Sequence, residues 1–198
     1  HPVAHSFPTR RSSDLDNVDV DACTRLGIQF AYQPDYCTED VAEHAISLIM
    51  ACARRLTRSR KTLEAASASG QWDFSDLFPV YRMRGKVLGI LGVGRIGSLV
   101  CSKLASFGFE TIGCDPYLSD ARRAKLDIEF VDRETLFRRS DFVTVHTPLK
   151  DDTRHIVNAD TLALMKPSAY LINTSRGPLV GAEALADALR RAAIAGAA

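Results

Sequence analysis

The sequence lacks the features that mark several classes of protein, and each absence narrows the interpretation. Its five cysteines have neither paired nor metal-type spacing, which argues against a disulfide-rich secreted domain and against a metal site. No apolar run approaches the ~20 residues of a membrane helix, and no secretory signal pattern is present. The net charge of +1, from 25 basic and 24 acidic residues, gives no general attraction to nucleic acid or anionic lipid. We therefore expect a cytoplasmic protein without a metal, nucleic-acid or membrane site.

The composition is that of an ordinary globular protein, but the first residues do not fit a fold. With 198 residues, 46% of them apolar, the chain is long enough for one large domain or for one domain and part of another. Residues 5–15 show no periodicity, and they look like the translation of a short-read sequencing adapter. We interpret residues 1–15 as such an artefact, the alternative being a genuine disordered tail, and exclude them from the fold.

The most informative motif is a glycine-rich turn between an apolar strand and a helix. Gly92 permits a tight turn, Gly94 lets a phosphate approach the backbone, and Gly97 allows the helix to pack closely on the strand. The start of that helix presents N–H groups to an anion. A second apolar run ends at Asp115, 18 residues after Gly97, where a carboxylate accepts hydrogen bonds from a ribose diol. The pattern predicts a dinucleotide site, and the alternative is a glycine turn that binds nothing.

From residue 84 onward, short apolar runs alternate with amphipathic segments. Such alternation predicts an α/β fold, a Rossmann-type doubly wound parallel sheet with helices on both faces. We expect the strand order 3-2-1-4-5, with the cofactor at the switch point between strands 1 and 4. The predicted strands are 87–91, 109–114, 128–131, 142–146 and 169–173, and the predicted helices are 95–107, 119–126, 133–139, 159–165 and 182–192.

The pattern before residue 84 is less regular. It predicts a short helix at 20–25, a strand at 28–30 and one long helix from Val41 to about Ala66, with Thr38 as its N-cap. Five basic residues within the long helix are typical of a solvated face, with an anion site as the alternative: Arg54, Arg55, Arg58, Arg60 and Lys61.

Two further segments end in polar residues at the predicted carboxyl edge of the sheet. The first runs from Ser140 through a His-Thr-Pro turn to His155, and by itself it fits an ordinary β-turn proline better than a site. The second, from Met165 to Gly177, is a buried strand that ends in small polar residues and Arg176. The guanidinium of Arg176 is a planar fork suited to a carboxylate, although a surface salt bridge is the usual role of an arginine. Its position beside a dinucleotide site favours the carboxylate.

Together these segments resemble the D-isomer-specific 2-hydroxyacid dehydrogenases, which include formate, D-lactate, glycerate/glyoxylate and 3-phosphoglycerate dehydrogenases. The resemblance covers essentially all of residues 16–198. Asp35-Tyr36-Cys37 looks most like the branch that also contains the C-terminal-binding-protein corepressors. The motifs that carry the resemblance are Asp16-Asn17-Val18-Asp19, Thr38-Glu39-Asp40-Val41-Ala42-Glu43-His44, the glycine turn, and the stretches 140–155 and 173–177.

The resemblance implies a cofactor, a reaction and a role for each matching residue. The cofactor is NAD, and the reaction is hydride transfer between the nicotinamide and C2 of a small 2-hydroxy or 2-oxo acid. Arg176 is the implied catalytic residue, which holds the substrate carboxylate and polarises its C2 carbonyl. Asp115 favours NAD over NADP because a 2′-phosphate would meet its carboxylate, while Arg122 and Arg123 are expected to be solvated. The implied cofactor contacts are Gly92, Gly94 and Gly97 in the turn, Arg95 and Ile96 at the pyrophosphate, Asp115 at the adenosine ribose, Thr147, Pro148 and Thr153 in the central part, and Thr174, Ser175 and Arg176 at the nicotinamide.

Compared with the family pattern, the chain departs at Gly181 and is expected to be truncated at both ends. Residues 16–33 correspond to a remnant of the family's flavodoxin-like substrate domain, and 34–198 to its NAD-binding domain, incomplete at the C-terminus. The family's proton-donating histidine and its partner glutamate would follow Ala198, and His44 is not a substitute for that histidine. We therefore expect an oxidoreductase fragment that binds NAD without turnover. The alternative is an NAD-gated, corepressor-type interaction module.

A homodimer is also expected, as in the family. The helix 41–66 and the loop around Trp72 are the predicted contact, because the aromatic residues of that loop suggest packing on a second subunit. The sixth strand of the sheet is expected to be missing, since residues 194–196 only begin it, which would leave an unpaired edge.

Overall fold

The computed structural model describes residues 18–31, 33 and 35–198 of the chain. The chain divides into two compact units, the second of which begins at Cys37. The interpretation of residues 1–15 as an adapter artefact falls outside the described residues and stays a prediction. Within the described part, no helix is long and apolar enough to cross a membrane.

The described part of the first unit contains one short helix, α1 (Val20–Arg25), as predicted. Asp19 caps this helix by accepting a hydrogen bond from the Ala22 amide at 2.8 Å. The predicted strand at 28–30 is wrong, because these residues are not assigned to any strand and Ile28 is 56% exposed. A run of three residues without a buried face has little to hold it in a sheet.

The second unit is built around a six-stranded parallel sheet with the strand order β3-β2-β1-β4-β5-β6. Its first five strands have the predicted order, and the chain winds outward from the centre in two directions. β1 and β4 are buried on both faces, and their sequences are apolar apart from Thr144. The strands are β1 (Val87–Leu91), β2 (Glu110–Cys114), β3 (Glu129–Phe130), β4 (Phe142–Val145), β5 (Tyr170–Asn173) and β6 (Gly196–Ala197).

Helices cover both faces of this sheet. They are α2 (Thr38–Ala53), α3 (Leu56–Ser69), α4 (Arg95–Leu104), α5 (Asp120–Arg123), α6 (Arg133–Arg139), α7 (Ala159–Leu164) and α8 (Ala182–Arg190). One hydrophobic cluster, around Phe137, joins the sheet to α6, α7 and α8, and another, around Ile49, joins it to α2 and α4. Lys103 of α4 also links the two helices of the second cluster, since its ammonium lies 2.7 Å from Glu39 and 2.8 Å from Glu43.

The predicted long helix over 41–66 is wrong in two respects. Thr38 is its first residue and not its N-cap, which is Cys37, and the structure divides the helix into α2 and α3. Arg55 lies between them in the left-handed conformation, with φ 50°, and its guanidinium donates to the Phe78 carbonyl at 3.4 Å. The buried stripe ends at this point: Leu56 is 55% exposed, and Ala66 is the buried residue of α3. Since tertiary packing supplies most of the stability of a helix, the chain is free to turn where the core ends.

The sixth strand is present, contrary to the expectation that it would be missing. Gly196 and Ala197 pair in parallel with Tyr170 and Leu171. The Ala198 amide then donates to the Leu171 carbonyl at 2.9 Å. Because this pairing uses main-chain groups alone, two residues suffice to extend the sheet beyond β5.

Candidate functional site

The residues singled out in the sequence meet at one edge of the sheet, where β1, β2, β4 and β5 have their carboxyl ends. β1 lies between β2 and β4. The turn after β1 is therefore flanked by Asp115 on one side and by His146 and Thr147 on the other. Since the chain leaves this point in opposite directions on the two sides, this edge is the switch point at which a ligand crevice is expected.

Two glycines of the turn are required by their surroundings, and a third leaves open space. Gly92 has φ 92°, and a Cβ there would lie 2.8 Å from both the His146 carbonyl carbon and the Thr147 hydroxyl. A Cβ on Gly97 would collide with the Gly92 carbonyl oxygen. A Cβ on Gly94, in contrast, would meet no atom within 4 Å. The missing side chain of Gly94 thus leaves room for a phosphate to approach the backbone.

Helix α4 begins directly at this turn. Gly94 is its N-cap residue and supplies no side-chain hydrogen bond to the first amides. An anion satisfies such amides and is also favoured by the helix dipole. Arg95 is exposed in the first turn of the helix, and Ile96 is half-buried. Their contact with a pyrophosphate stays a prediction.

Asp115 connects the end of β2 to the glycine turn. One carboxylate oxygen accepts a hydrogen bond from the Val93 amide, and the other accepts one from the Tyr117 amide, each at 3.0 Å. A carboxylate has about four lone-pair positions, so capacity remains for a ligand's hydroxyl groups. The structure therefore holds Asp115 in one orientation beside the turn.

Arg123 was expected to be solvated, and that expectation is wrong. Its side chain is half-buried, and its guanidinium donates to the Asp115 carbonyl at 2.7 Å and to the Leu118 carbonyl at 3.2 Å. Arg122, in contrast, is exposed as predicted. No signal in the sequence distinguishes the two arginines, because both contacts of Arg123 go to main-chain carbonyls, which every residue type carries.

The loop after β4 is held in shape by its own threonines. The Thr147 hydroxyl donates to the Leu91 carbonyl at 3.1 Å, which joins this loop to β1. The Thr153 hydroxyl accepts from the Lys150 amide and donates to the Pro148 carbonyl, both at 2.7 Å. Thr153 is buried and its hydroxyl is engaged within the loop, so the geometry supports a role in shaping the loop.

The residues after β5 form a compact turn organised by Asn173. Its side-chain oxygen accepts from the Ser175 amide at 3.0 Å, and its side-chain nitrogen donates to the Arg176 carbonyl at 2.9 Å. The Ser175 hydroxyl donates to the Val145 carbonyl at 2.9 Å, and Arg176 donates to the Ser175 carbonyl at 3.0 Å. Sequence reasoning missed Asn173 as a site residue, although its position before Thr-Ser-Arg-Gly is that of a turn-forming side chain.

Two buried polar atoms at this edge have no hydrogen-bond partner within the described part of the chain. They are Nδ1 of His146, after β4, and the hydroxyl of Thr174, after β5. The other ring nitrogen of His146 lies 2.9 Å from the Thr144 hydroxyl. Burial lowers the pKa of His146 from 6.5 to about 4, so the imidazole is neutral at pH 7. Unsatisfied buried groups are costly, and a ligand with polar atoms at these positions would satisfy them.

A side-chain hydrogen bond joins the loops that follow β2 and β4. The Tyr117 hydroxyl, from the loop after β2, donates to an Asp152 carboxylate oxygen, from the loop after β4, at 2.6 Å. The Lys150 ammonium lies 5.1 Å from the centre of the Tyr117 ring. The hydrogen bond to Asp152 raises the pKa of Tyr117 above its ordinary value.

The arrangement fits a dinucleotide laid across four strand ends. Asp115 after β2 suits a diol, Gly94 after β1 leaves room for a phosphate, and His146 and Thr174 after β4 and β5 offer buried polar atoms. A dinucleotide presents a ribose, a pyrophosphate and a polar ring in that same sequence. No group of three or more His, Cys, Asp or Glu that could hold a metal ion occurs in residues 18–31, 33 and 35–198.

Comparisons with known proteins agree with this geometry. Residues 46–198 match the family model described as D-isomer specific 2-hydroxyacid dehydrogenase, NAD binding domain. The D-3-phosphoglycerate dehydrogenase of Mycobacterium leprae is 39% identical over 181 residues, which are 91% of this chain and 33% of that protein. The glyoxylate reductase of Thermococcus litoralis is 38% identical over 188 residues, which are 92% of this chain and 56% of that protein.

Two solved structures show the same architecture. The apo D-lactate dehydrogenase from Escherichia coli superimposes with a TM-score of 0.80 at 35% identity, covering 92% of this chain and 56% of that one. The D-lactate dehydrogenase from Aquifex aeolicus, complexed with NAD and lactic acid, has a TM-score of 0.81 at 31% identity, covering 94% of this chain and 55% of that one. The chain thus spans between about one third and just over half of the length of these relatives.

Proposed function

Because the chain belongs to the D-isomer specific 2-hydroxyacid dehydrogenase family, through the NAD-binding domain of that family, we propose that it binds NAD as part of an oxidoreductase. The whole protein would act on the CH–OH group of a small D-2-hydroxy acid. The binding step is proposed for this chain, and turnover is proposed for the whole protein, since the relatives are longer than the part matched here.

The observation that carries the proposal is the joint geometry of the glycine turn and Asp115. The turn is tied to the carboxylate through the Val93 amide, and open space remains at Gly94. The proposed phosphate site and the proposed diol site would thereby lie side by side at the switch point of the sheet. This combination supports an adenine dinucleotide better than a single phosphate or a nucleoside alone.

The remaining residues are assigned by position along the crevice. Arg95 and Ile96 would border the pyrophosphate, and Asp115 would bind the adenosine ribose and disfavour the 2′-phosphate of NADP. Farther along, the central part of the cofactor would lie against Thr147 and Pro148 on the loop shaped by Thr153, and the nicotinamide against Thr174, Ser175 and Arg176. The residues assigned to the central part and to the nicotinamide follow the carboxyl ends of β4 and β5.

The chemistry divides between the cofactor and the protein. When bound, NAD supplies the hydride acceptor or donor. Arg176 would hold the carboxylate of the 2-hydroxy or 2-oxo acid through its planar fork and stabilise negative charge on the C2 oxygen. The Asn173 amide and the Ser175 hydroxyl hold the turn in which Arg176 lies.

Calorimetric titration of the chain with NADH and NADPH tests the binding step. We expect NADH to bind more tightly than NADPH, and Asp115→Asn to weaken NADH by about 10-fold or more, the scale of a hydrogen bond to a charged group. Asp120→Asn, which removes a charge from the exposed start of α5, serves as the matched control and should change NADH affinity little. The proposal fails if the native chain binds neither dinucleotide.

The turnover step requires the whole protein. We expect oxidation of a D-2-hydroxy acid with NAD, and we expect Arg176→Gln to lower kcat/KM while leaving NADH affinity within about 3-fold, because the guanidinium acts mainly on the substrate. An NAD-gated corepressor-type module remains the alternative function. Binding of a partner peptide that responds to NADH, together with absence of turnover, would favour the module.

A homodimer is part of the proposal and rests on an exposed apolar surface. The surface consists of Leu56 and Leu63 on α3 and the aromatic side chains of the following loop, where Trp72 is 66% exposed and Phe78 is 70% exposed. Large exposed apolar side chains of this kind support an interface with a second copy of the chain. Sedimentation of the chain should show a dimer that Trp72→Asp and Phe78→Asp together dissociate; a monomer at all concentrations would contradict the proposal.

A further inference from the structure

Arg123 makes two hydrogen bonds to the segment carrying Asp115 and one ring contact to the neighbouring strand β3. We propose that Arg123 is a positioning residue for dinucleotide binding: it fixes the main chain of Asp115 so that the carboxylate faces the ribose. The inference rests on the proposed binding of NAD and adds a residue that contacts no part of the cofactor.

The first two contacts close the turn after β2. The guanidinium donates through Nη2 to the Asp115 carbonyl at 2.7 Å and through Nε to the Leu118 carbonyl at 3.2 Å. The same turn is closed internally by the Leu118 amide, which donates to the Asp115 carbonyl at 3.4 Å. A single planar fork therefore holds both ends of the four-residue turn, an arrangement that the single ammonium of a lysine reproduces poorly.

The third contact fixes the guanidinium itself. Its central carbon lies 5.0 Å from the centre of the Phe130 ring, on β3. β3 pairs with β2 through Gly113, two residues before Asp115. The guanidinium thus lies between the turn after β2 and β3, the last strand on this side of the sheet. Its contacts tie the turn to the sheet.

The contacts of Arg123 leave the Asp115 carboxylate available. Both hydrogen bonds go to main-chain carbonyls, while the carboxylate oxygens take the amides of Val93 and Tyr117. Arg123 therefore occupies main-chain oxygens only, and it uses none of the lone pairs of the carboxylate. Without the fork, the main chain of the turn would be held by the 3.4 Å hydrogen bond of Leu118 alone. The carboxylate would keep its bonds to the Val93 and Tyr117 amides, but on a less firmly held main chain.

Arg122 provides a matched control. It is the preceding residue, lies on the same four-residue helix and is exposed. Replacing either arginine by glutamine removes one positive charge near the crevice, but only Arg123→Gln removes the fork. A difference between the two variants therefore measures positioning and not general electrostatic attraction of a phosphorylated ligand.

The test is a double-mutant cycle read by calorimetric NADH titration of the native chain, Arg123→Gln, Arg122→Gln, Asp115→Ala and the double variant Arg123→Gln/Asp115→Ala. We expect Arg123→Gln to weaken NADH by about 10-fold and Arg122→Gln by less than about 2-fold. In the Asp115→Ala background, Arg123→Gln should have less than about 2-fold effect, because the residue acts through Asp115. Arg123→Lys should be intermediate, and it replaces Arg123→Gln in the cycle if the glutamine variant does not fold.

The outcomes separate this inference from the proposed function. If the native chain binds no NADH, the proposed function fails and the inference falls with it. If the native chain binds NADH but Arg123→Gln and Arg122→Gln behave alike, the inference alone is wrong. It is equally wrong if the loss caused by Arg123→Gln persists without the Asp115 carboxylate, or if Arg123→Lys binds NADH as tightly as the native chain.

Discussion

The Asp115 carboxylate accepts a hydrogen bond from the Val93 amide at 3.0 Å, which joins the residue after β2 to the turn after β1. Val93 itself is fully buried, so the turn is anchored in the core at the same residue. The predicted diol-binding and phosphate-binding groups therefore form one unit. Substitutions in this unit should separate effects on folding from effects on binding, because its glycines differ in what surrounds them.

Gly97→Ala and Gly94→Ala are expected to have opposite consequences. The added methyl of Gly97→Ala collides with the Gly92 carbonyl oxygen and should lower the free energy of unfolding by about 1–3 kcal/mol. The added methyl of Gly94→Ala meets no protein atom within 4 Å, so stability should change by less than about 0.5 kcal/mol. Gly94→Ala should nevertheless weaken NADH by about 10-fold or more, since the methyl occupies the space assigned to phosphate. Urea unfolding and NADH titration measure the two effects, and unchanged NADH binding by Gly94→Ala would refute the assignment.

The buried imidazole of His146 should make stability depend on pH. Its pKa is lowered to about 4 in the folded chain from the ordinary 6.5, because burial disfavours the charged ring. Above pH 6.5 both states are neutral and the contribution is constant. Between pH 6.5 and pH 4 the unfolded chain takes up a proton that the folded chain does not, so stability falls by about 3 kcal/mol in total.

The His146→Gln variant isolates this contribution from the other titrating groups. The difference in unfolding free energy between native chain and variant should shrink steadily as the pH falls from 6.5 to 4. Denaturant unfolding at pH 7, 6 and 5 suffices as the measurement. A difference independent of pH would show that the imidazole is not buried in the neutral form.

Asp152→Asn should shift the titration of Tyr117. The hydrogen bond from the phenol to the carboxylate raises the pKa of Tyr117, because the carboxylate favours the protonated hydroxyl. Removing the negative charge should therefore lower the pKa of Tyr117 toward its ordinary value. Ultraviolet difference titration of tyrosinate, with Tyr117→Phe to identify the signal and Asp151→Asn as the neighbouring control, measures the shift. Equal titration curves for the native chain and Asp152→Asn would mean that the bridge does not persist in solution.

Arg55→Gly should stabilise the chain, and Arg54→Gly should not. Arg55 has φ 50°, a conformation that costs a side-chain-bearing residue energy and glycine almost none, so the substitution should raise the free energy of unfolding by about 0.5–1 kcal/mol. Arg54, with φ −97° and ψ 3°, is in a conformation open to any residue, so glycine there adds only backbone entropy and lowers stability by about 0.5 kcal/mol. Thermal unfolding of both variants gives the comparison. A stabilising effect of both or of neither would contradict the break between α2 and α3.

The sheet could be predicted nearly to the residue because its signal is local. A strand buried on both faces must be a short apolar run, and β1 begins and ends at the predicted residues. The division between α2 and α3 could not be predicted in this way. The apolar spacing continues to Leu56, and neither glycine nor proline marks Arg55; what ends α2 is the end of the core beneath it, which is a property of the whole fold.

The same distinction separates the site residues that could be predicted from those that could not. The glycine turn and Asp115 are recognisable because each role requires a particular residue type at a particular spacing. Arg123 and Asn173 act on main-chain groups, which every residue possesses, so their partners leave no trace in the sequence. The orphaned atoms of His146 and Thr174 are likewise visible only when burial is known.

The short strand β6 controls how readily the edge of the sheet frays. The Ala198 carbonyl accepts a hydrogen bond from the Asn173 amide at 2.8 Å, and the side chain of Asn173 holds the turn that contains Arg176. Opening of this edge would first break the hydrogen bond of the Asn173 amide. The turn that contains Arg176 would loosen with it. The hydrogen-exchange rate of the Asn173 amide therefore reports a local unfolding event that reaches the proposed substrate-binding residue without disturbing the glycine turn.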